Sequence, residues 1–167
     1  MKQFILIIEG PVGSGKTTIG DILHKQLKRT ARLSTAHIKN FLSDFESNPT
    51  DNSINAAVLF KMCEEYINQG ISLILPQAFW KKEFIEPYAK LAEKNNVPFL
   101  MYQLEAPLEV LRERIINRPK AVDTVRMEEN LKKWQENRYE LGKILNTAEL
   151  SAEEAAALIL KDVEGLE

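Results

Sequence analysis

Gly10-Pro11-Val12-Gly13-Ser14-Gly15-Lys16-Thr17 is the stretch that decides the fold. It satisfies the spacing G-x-x-x-x-G-K-[ST] in full. Glycines at these positions let the backbone wrap an anion with its N–H groups turned inward. A helix starting at Gly15 adds the positive end of its dipole to that cradle. The Lys16 side chain reaches β- and γ-phosphates, and the Thr17 hydroxyl is placed to ligate Mg²⁺. The flanks support this. Phe4-Ile5-Leu6-Ile7-Ile8 is apolar without alternation, as a strand covered on both faces must be, and Ile19, Ile22, Leu23 and Leu27 then recur at helical spacing. The expected triphosphate contacts are Gly10, Pro11, Val12, Gly13, Ser14, Gly15, Lys16, Thr17 and Thr18, with Thr17 also the metal ligand.

Working outward, Ala31–Thr35 reads as a second strand, His37–Phe45 as a helix, and Glu46–Asn52 as a loop marked by Asn48-Pro49. Ile54, Ala57, Val58 and Met62 stripe another helix that Gly70 ends. Ile71–Leu75 is a third strand, and Phe84, Ile85, Tyr88, Ala89 and Ala92 mark the next helix. Val97–Tyr102 is a fourth strand. Leu108, Leu111 and Ile115 carry a helix that Pro119 must stop. Met127–Leu141 is a further helix and Ile144-Leu145 a last short strand. Ser151 with Glu154 is a capping box for a final helix over 152–163. Alternating strands and helices predict one α/β domain over residues 1–167, a three-layer α/β/α P-loop fold with a parallel sheet of about five strands.

The totals narrow the function. Hydrophobic residues make up 44% and charged residues 28% of 167 residues, the balance of an ordinary globular domain. The net charge of −2 carries no basic excess, so a nucleic-acid partner is not expected. No apolar run approaches the roughly twenty residues a spanning helix needs, so no membrane partner is expected either. The N-terminal apolar run is cut by Glu9 and leads into the glycine loop, unlike a signal peptide. With a single cysteine, Cys63, no disulfide framework can form within the chain. A reduced, cytoplasmic setting is the expectation.

A second motif follows, Leu111-Arg112-Glu113-Arg114-Ile115-Ile116-Asn117-Arg118-Pro119. Together with the phosphate loop, it is similar to the small P-loop kinases, the group that includes nucleoside monophosphate kinases, shikimate and gluconate kinases and antibiotic phosphotransferases. Ile8-Glu9-Gly10 resembles thymidylate and deoxynucleoside kinases in particular. The resemblance covers nearly the whole chain in layout. It implies that Arg114 packs on the adenine and that Arg118 closes over the phosphates from a mobile lid around 117–126. A planar guanidinium suits a transferred phosphoryl group, whose charge is spread over its oxygens. Read alone, Arg112, Arg114 and Arg118 are also a solvated helix face paired with Glu109 and Glu113. Leu145-Asn146-Thr147 sits where such kinases present backbone to the adenine ring, and a plain turn is the other reading. The Asn-Lys-x-Asp motif that reads guanine in Ras-type GTPases is absent.

Two departures from the family pattern matter. Ala36 stands where an acid ends the second strand, and Pro76 stands at the Walker B acid position. Neither binds a metal or takes a proton. Glu9, His37, Asp44, Glu46 and Asp51 are the substitutes within reach, and Glu9, beside the loop, is the best placed to hold Mg²⁺ through water. The acceptor pocket is expected between the His37–Phe45 segment and the residues after the third strand, with Phe41, Phe45, Phe79 and Trp80 as walls and Lys39, Lys81 and Lys82 nearby. The reading is therefore an ATP- and Mg²⁺-dependent kinase acting on a small-molecule or nucleotide acceptor, with Lys16, Arg114, Arg118 and Glu9 in catalytic roles. The alternative is a degenerate nucleotide-binding module that serves as a regulator or partner. On either reading Lys16→Ala must weaken triphosphate binding at least about tenfold, since no other cation enters the loop; an unchanged ATP titration contradicts the loop assignment.

Overall fold

The computed structural model describes residues 2–79, 81–117, 123–136 and 142–166. Along the chain run β1 (Ile5–Glu9), α1 (Lys16–Gln26), β2 (Thr30–Arg32), α2 (Thr35–Ile38), α3 (Pro49–Asn68), β3 (Ser72–Pro76), α4 (Glu86–Lys94), β4 (Phe99–Glu105), α5 (Leu108–Ile116), α6 (Thr124–Glu136), β5 (Lys143–Asn146) and α7 (Ala152–Glu164). The strands form one sheet in the order β2-β3-β1-β4-β5, with every pairing parallel. The wholly apolar strand is central, as a strand buried on both faces must be.

Side-chain alternation along β1 divides the core in two. Ile5 and Ile7 join Leu59, Cys63, Phe79, Tyr88 and Leu91 under α3 and α4. Phe4, Leu6 and Ile8 join Ile19, Leu23, Ala155 and Ile159 under α1 and α7. A third cluster, of Leu111, Ile115, Met127 and Leu131, packs α5 on α6, with Val12 of the loop against it. The order helix layer, sheet, helix layer matches the α/β reading.

Several boundaries differ from the sequence reading, each for a local reason. The second strand stops at Arg32 because Ser34 is the N-cap residue of α2 and Thr35 is already helical. The helix expected over His37–Phe45 breaks into α2 and a 3-10 turn at Lys39–Phe41, after which Leu42 is extended. Asn48-Pro49 starts a helix rather than marking a loop. The Asn48 side chain accepts from the Asp51 N–H at 2.8 Å, and Pro49 sits in the first turn, where its missing N–H costs nothing. Beyond α3 the N–H of Ile71 bonds to the Tyr66 carbonyl and that of Gly70 to Ile67, the Schellman closure expected of a glycine there. The fourth strand starts at Phe99 and runs on to Glu105. The capping box at Ser151 and Glu154 forms as read. Helix α6 begins at Thr124, and the 137–141 end of the expected helix lies outside the described residues.

Pro76 breaks no ladder. Gln77 N–H and Leu73 N–H donate to β1, whereas Ser72 N–H donates toward β2. By alternation the missing N–H of Pro76 faces the β2 side, beyond the point where β2 has ended, so no hydrogen bond is lost. Its ring packs on α1 instead: a Cβ built on Gly20 would lie 3.1 Å from Pro76 Cγ.

The sheet centre carries the stability. Ile7 is fully buried, so Ile7→Ala should cost about 2–5 kcal/mol. Urea unfolding checks this, and a change below about 1 kcal/mol contradicts a tightly packed centre.

Candidate functional site: a phosphate loop between α5 and the sheet

The loop leaves β1 at its carboxyl end and turns through Gly10, Gly13 and Gly15, which have φ of 154°, 87° and 93°. It is wedged as well as turned. A Cβ on Gly13 would lie 2.9 Å from the Leu111 carbonyl of α5 and 3.1 Å from Ile115 Cγ1. Only glycine allows that approach together with that φ. Gly15 is the N-cap of α1 and offers no side chain to the helix N–H groups, which leaves that task to an external acceptor. Lys16 Nζ donates to the carbonyls of Gly10 and Pro11, both at 2.7 Å, so the ammonium lies across the loop. Ser14 Oγ is buried without a hydrogen-bond partner among the described residues. Thr17 and Thr18 are exposed at the start of α1. A phosphate chain fits this set: N–H groups, an orphaned hydroxyl, a cation, and a Thr hydroxyl open to a metal.

The structure joins two features that the sequence left apart. Arg114 Nη1 donates to Thr147 Oγ1 at 3.0 Å, and Arg114 Nη2 donates to the Thr147 carbonyl. Helix α5 is thereby clasped to the segment after β5, on the side of the loop where Gly13 meets α5. The strand beneath is pinned as well. Asp162 of α7 accepts from Lys143 Nζ and from the Tyr102 hydroxyl, and these two donors hold its carboxyl below the usual range. Arg112 takes another direction, forming a fork to Glu128 of α6 at 2.7 and 2.9 Å. Its partner is thus Glu128 rather than the Glu109 or Glu113 suggested by spacing. Arg118 lies outside the described residues, as do residues 119–122 of the expected lid. Of the rest of that segment, Asn117 caps α5. Asp123 accepts from the Arg126 N–H at 3.0 Å, and Arg126 Nη2 reaches Ser47 Oγ at 2.9 Å.

Glu9 is fully buried. It shares the sheet face of Ile5 and Ile7, opposite α1, and its Oε1 accepts from the Phe79 N–H at 3.2 Å. It therefore anchors the chain leaving β3, beside Gln103, its register neighbour on β4. Among the described residues no group of three or more His, Cys, Asp or Glu could hold a metal. Asp51, in the first turn of α3, holds the turn that precedes the helix: its carboxylate accepts from the Glu46 N–H at 2.8 Å. His37 has its Nδ1 3.0 Å from Ser34 Oγ and its Nε2 3.5 Å from Arg32 Nη2. Arg32 is paired in turn with Asp21 of α1 at 2.8 Å.

Among the described residues the expected aromatic walls are not brought together. Phe79 is core, in edge contact with Tyr88 at 5.6 Å. Phe41 is 76% exposed, Lys39, Lys81 and Lys82 are exposed, and Trp80 lies outside the described residues. Sequence reading missed the two amides that set α2. Gln77 Oε1 accepts from the Thr35 N–H at 3.1 Å, and Asn55 Nδ2 donates to the Thr35 carbonyl at 2.9 Å. Gln77 follows the Walker B position directly, which was the available signal.

The comparisons with known proteins bear on the fold. A tunicamycin resistance protein from Deinococcus radiodurans superposes with a TM-score of 0.70 at 20% identity, covering 99% of this chain and 98% of that one. An APS kinase from Mycobacterium tuberculosis, solved with AMPPNP and APS, gives 0.72 at 15% identity over 98% and 99%. A sugar kinase from Janibacter sp. HTCC2649 gives 0.71 at 16% identity over 98% and 95%. At these identities the likeness is one of fold, shared with two structures described as kinases. No curated protein matches the chain. The family model described as AAA domain matches residues 5–141, and over that span the chain belongs to the AAA domain family.

Proposed function

We propose that this protein is an ATP-dependent kinase that moves the γ-phosphoryl group to a small-molecule or nucleotide acceptor. The observation that carries this reading is the loop itself, with its glycine cradle, its orphaned Ser14 hydroxyl and the Lys16 ammonium lying across it. The APS kinase neighbour, solved with the ATP analogue AMPPNP, supports a nucleotide at this place in the fold.

In this reading the N–H groups from Gly13 to Thr17 bind the β-phosphate, and Lys16 exchanges its two carbonyl contacts for β- and γ-oxygens. Arg114 lies against the base. Arg118 closes over the transferring group, where charge spreads as the bond loosens. The Thr17 hydroxyl, together with phosphate oxygens and water, would hold Mg²⁺, which would supply charge neutralisation there. Glu9 positions the segment after β3 by holding the Phe79 N–H, and acts on the site through that segment and through water. Phosphoryl transfer through a loose transition state asks little of a base, so Ala36 and Pro76 do not by themselves abolish the reaction.

A second reading has an observation in its favour. Pro76 packs on Gly20 and Ala36 is exposed, so both acid positions serve structure or nothing, which suits a nucleotide-binding regulator without transfer. A coupled ADP-release assay with ATP and Mg²⁺ across nucleosides, nucleotides, sugars and small alcohols separates the two. The kinase reading expects acceptor-dependent turnover that Glu9→Gln lowers at nearly unchanged ATP affinity. Arg118→Ala should lower kcat by about 10²–10³ while KM for ATP changes less. Absence of transfer to every acceptor, with Glu9→Gln indistinguishable from the native chain in binding, would favour the regulator.

A further inference from the structure

We infer that Asn55 selects the phosphoryl acceptor. Its amide oxygen takes a hydrogen bond from an O–H or N–H of the substrate, so the site admits a neutral hydroxyl compound in preference to its phosphorylated counterpart. This rests on the kinase reading above and narrows it.

Two side-chain amides meet at the first residue of α2. Gln77 Oε1 accepts from the Thr35 N–H at 3.1 Å, and Asn55 Nδ2 donates to the Thr35 carbonyl at 2.9 Å. The second bond fixes which way the Asn55 amide is turned, because two carbonyl oxygens facing each other have no proton to share. Oδ1 is therefore the end turned away from the Thr35 carbonyl. It is buried without a hydrogen-bond partner among the described residues, on a residue that is 7% exposed. A buried acceptor in this state costs stability until a donor meets it.

The junction lies at the carboxyl end of the sheet, where ligands of parallel α/β folds bind. Pro76 is the register partner of Ile8, and the Gln77 N–H donates to the Ile8 carbonyl at 3.2 Å. Gly10 opens the phosphate loop two residues further on. The chain from α2 onward gives Asn55 a thin cover: of residues 35–44 only Ile38 is buried. A segment with so few buried contacts opens at low cost, and a substrate donor that reaches Oδ1 gains a bond the closed chain does not supply.

The surrounding charge selects against an anion. Residues 34–38, 49–59 and 76–79, which supply this junction, include no lysine or arginine. Lys39, one residue past α2, is exposed, as is Arg126, which meets Ser47 Oγ ahead of α3 at 2.9 Å. Exposed cations compensate little for the lost hydration of an anion. A phosphate or carboxylate brought to Asn55 meets an acceptor oxygen where it needs donors and cations, whereas a hydroxyl supplies the proton that Oδ1 lacks.

The test is the coupled ADP-release assay of the native chain with ATP and Mg²⁺, run on matched acceptors: uridine and UMP, adenosine and AMP, glucose and glucose phosphate, glycerol and glycerol phosphate. The best acceptor should be a neutral member, with kcat/KM at least about tenfold above its phosphorylated partner. Among deoxy analogues of that acceptor, loss of one particular hydroxyl should raise KM about tenfold or more, a measurement that needs no variant. Asn55→Leu should raise KM for the parent acceptor by a similar factor, leave KM for ATP nearly unchanged, and abolish the penalty for the missing hydroxyl. Gln77→Leu, which cuts the other bond to Thr35 and leaves Oδ1 in place, should keep that penalty. Preference for a phosphorylated member, indifference of the native chain to every deoxy analogue, or a penalty that survives Asn55→Leu overturns the inference and leaves the kinase standing. Absence of turnover with every pair, while ATP still binds, overturns the kinase reading and the inference with it.

Discussion

At Gly13 the chain has no room for a side chain. The loop passes within van der Waals reach of the Leu111 carbonyl while its φ lies on the positive side. That approach fixes the cradle relative to α5, and α5 carries Arg114. On the opposite flank Gly20 lets α1 lie against Pro76 at the end of β3. The loop is therefore set from two sides, by the helix that carries Arg114 and by the strand that ends at Pro76. Neither arrangement would hold if β1 were not central. Burial of its five residues on both faces anchors the loop to the stiffest part of the sheet.

The two missing acids look different once these contacts are known. Pro76 occupies a position where its lack of an N–H has no consequence and where its ring supports α1. Gln77, one residue on, fastens α2 through the Thr35 N–H, and Glu9 fastens the segment at Phe79. The polar groups at the ends of β1 and β3 thus position neighbouring backbone. On the kinase reading proposed above, charge stabilisation would rest on backbone dipoles and Lys16 more than on a carboxylate.

Strong local signals were legible in the sequence. The loop, the flanking strand and helix, the capping box at Ser151 and the alternation of strands and helices along the chain follow from short-range chemistry. What was not legible depended on distant partners. Asn48-Pro49 carries turn and helix-start signals at once, and the Asn48 cap on Asp51 decides between them. Spacing paired Arg112 with glutamates on its own helix, whereas the packing of α6 offers Glu128 in a two-bond fork. Phe79 reads as a pocket wall beside Trp80 and the lysines, but the Tyr88 ring takes it into the core. Arg114 and Thr147 are 33 positions apart in sequence, and only the parallel β4–β5 pairing makes them neighbours.

The central claim is that phosphate is bound by the backbone and Lys16 at the junction of β1 and α1. Amide NMR of the isotopically labelled chain during titration with AMPPNP and Mg²⁺ tests it most directly. The account predicts that the largest shifts fall on the N–H groups of Gly13, Ser14, Gly15, Lys16 and Thr17, with smaller ones at Thr147 and Ala148. Shifts concentrated elsewhere, for instance in the groove between α3 and α4 around Phe60, Glu86 and Lys90, with the loop amides unmoved at saturation, would contradict it.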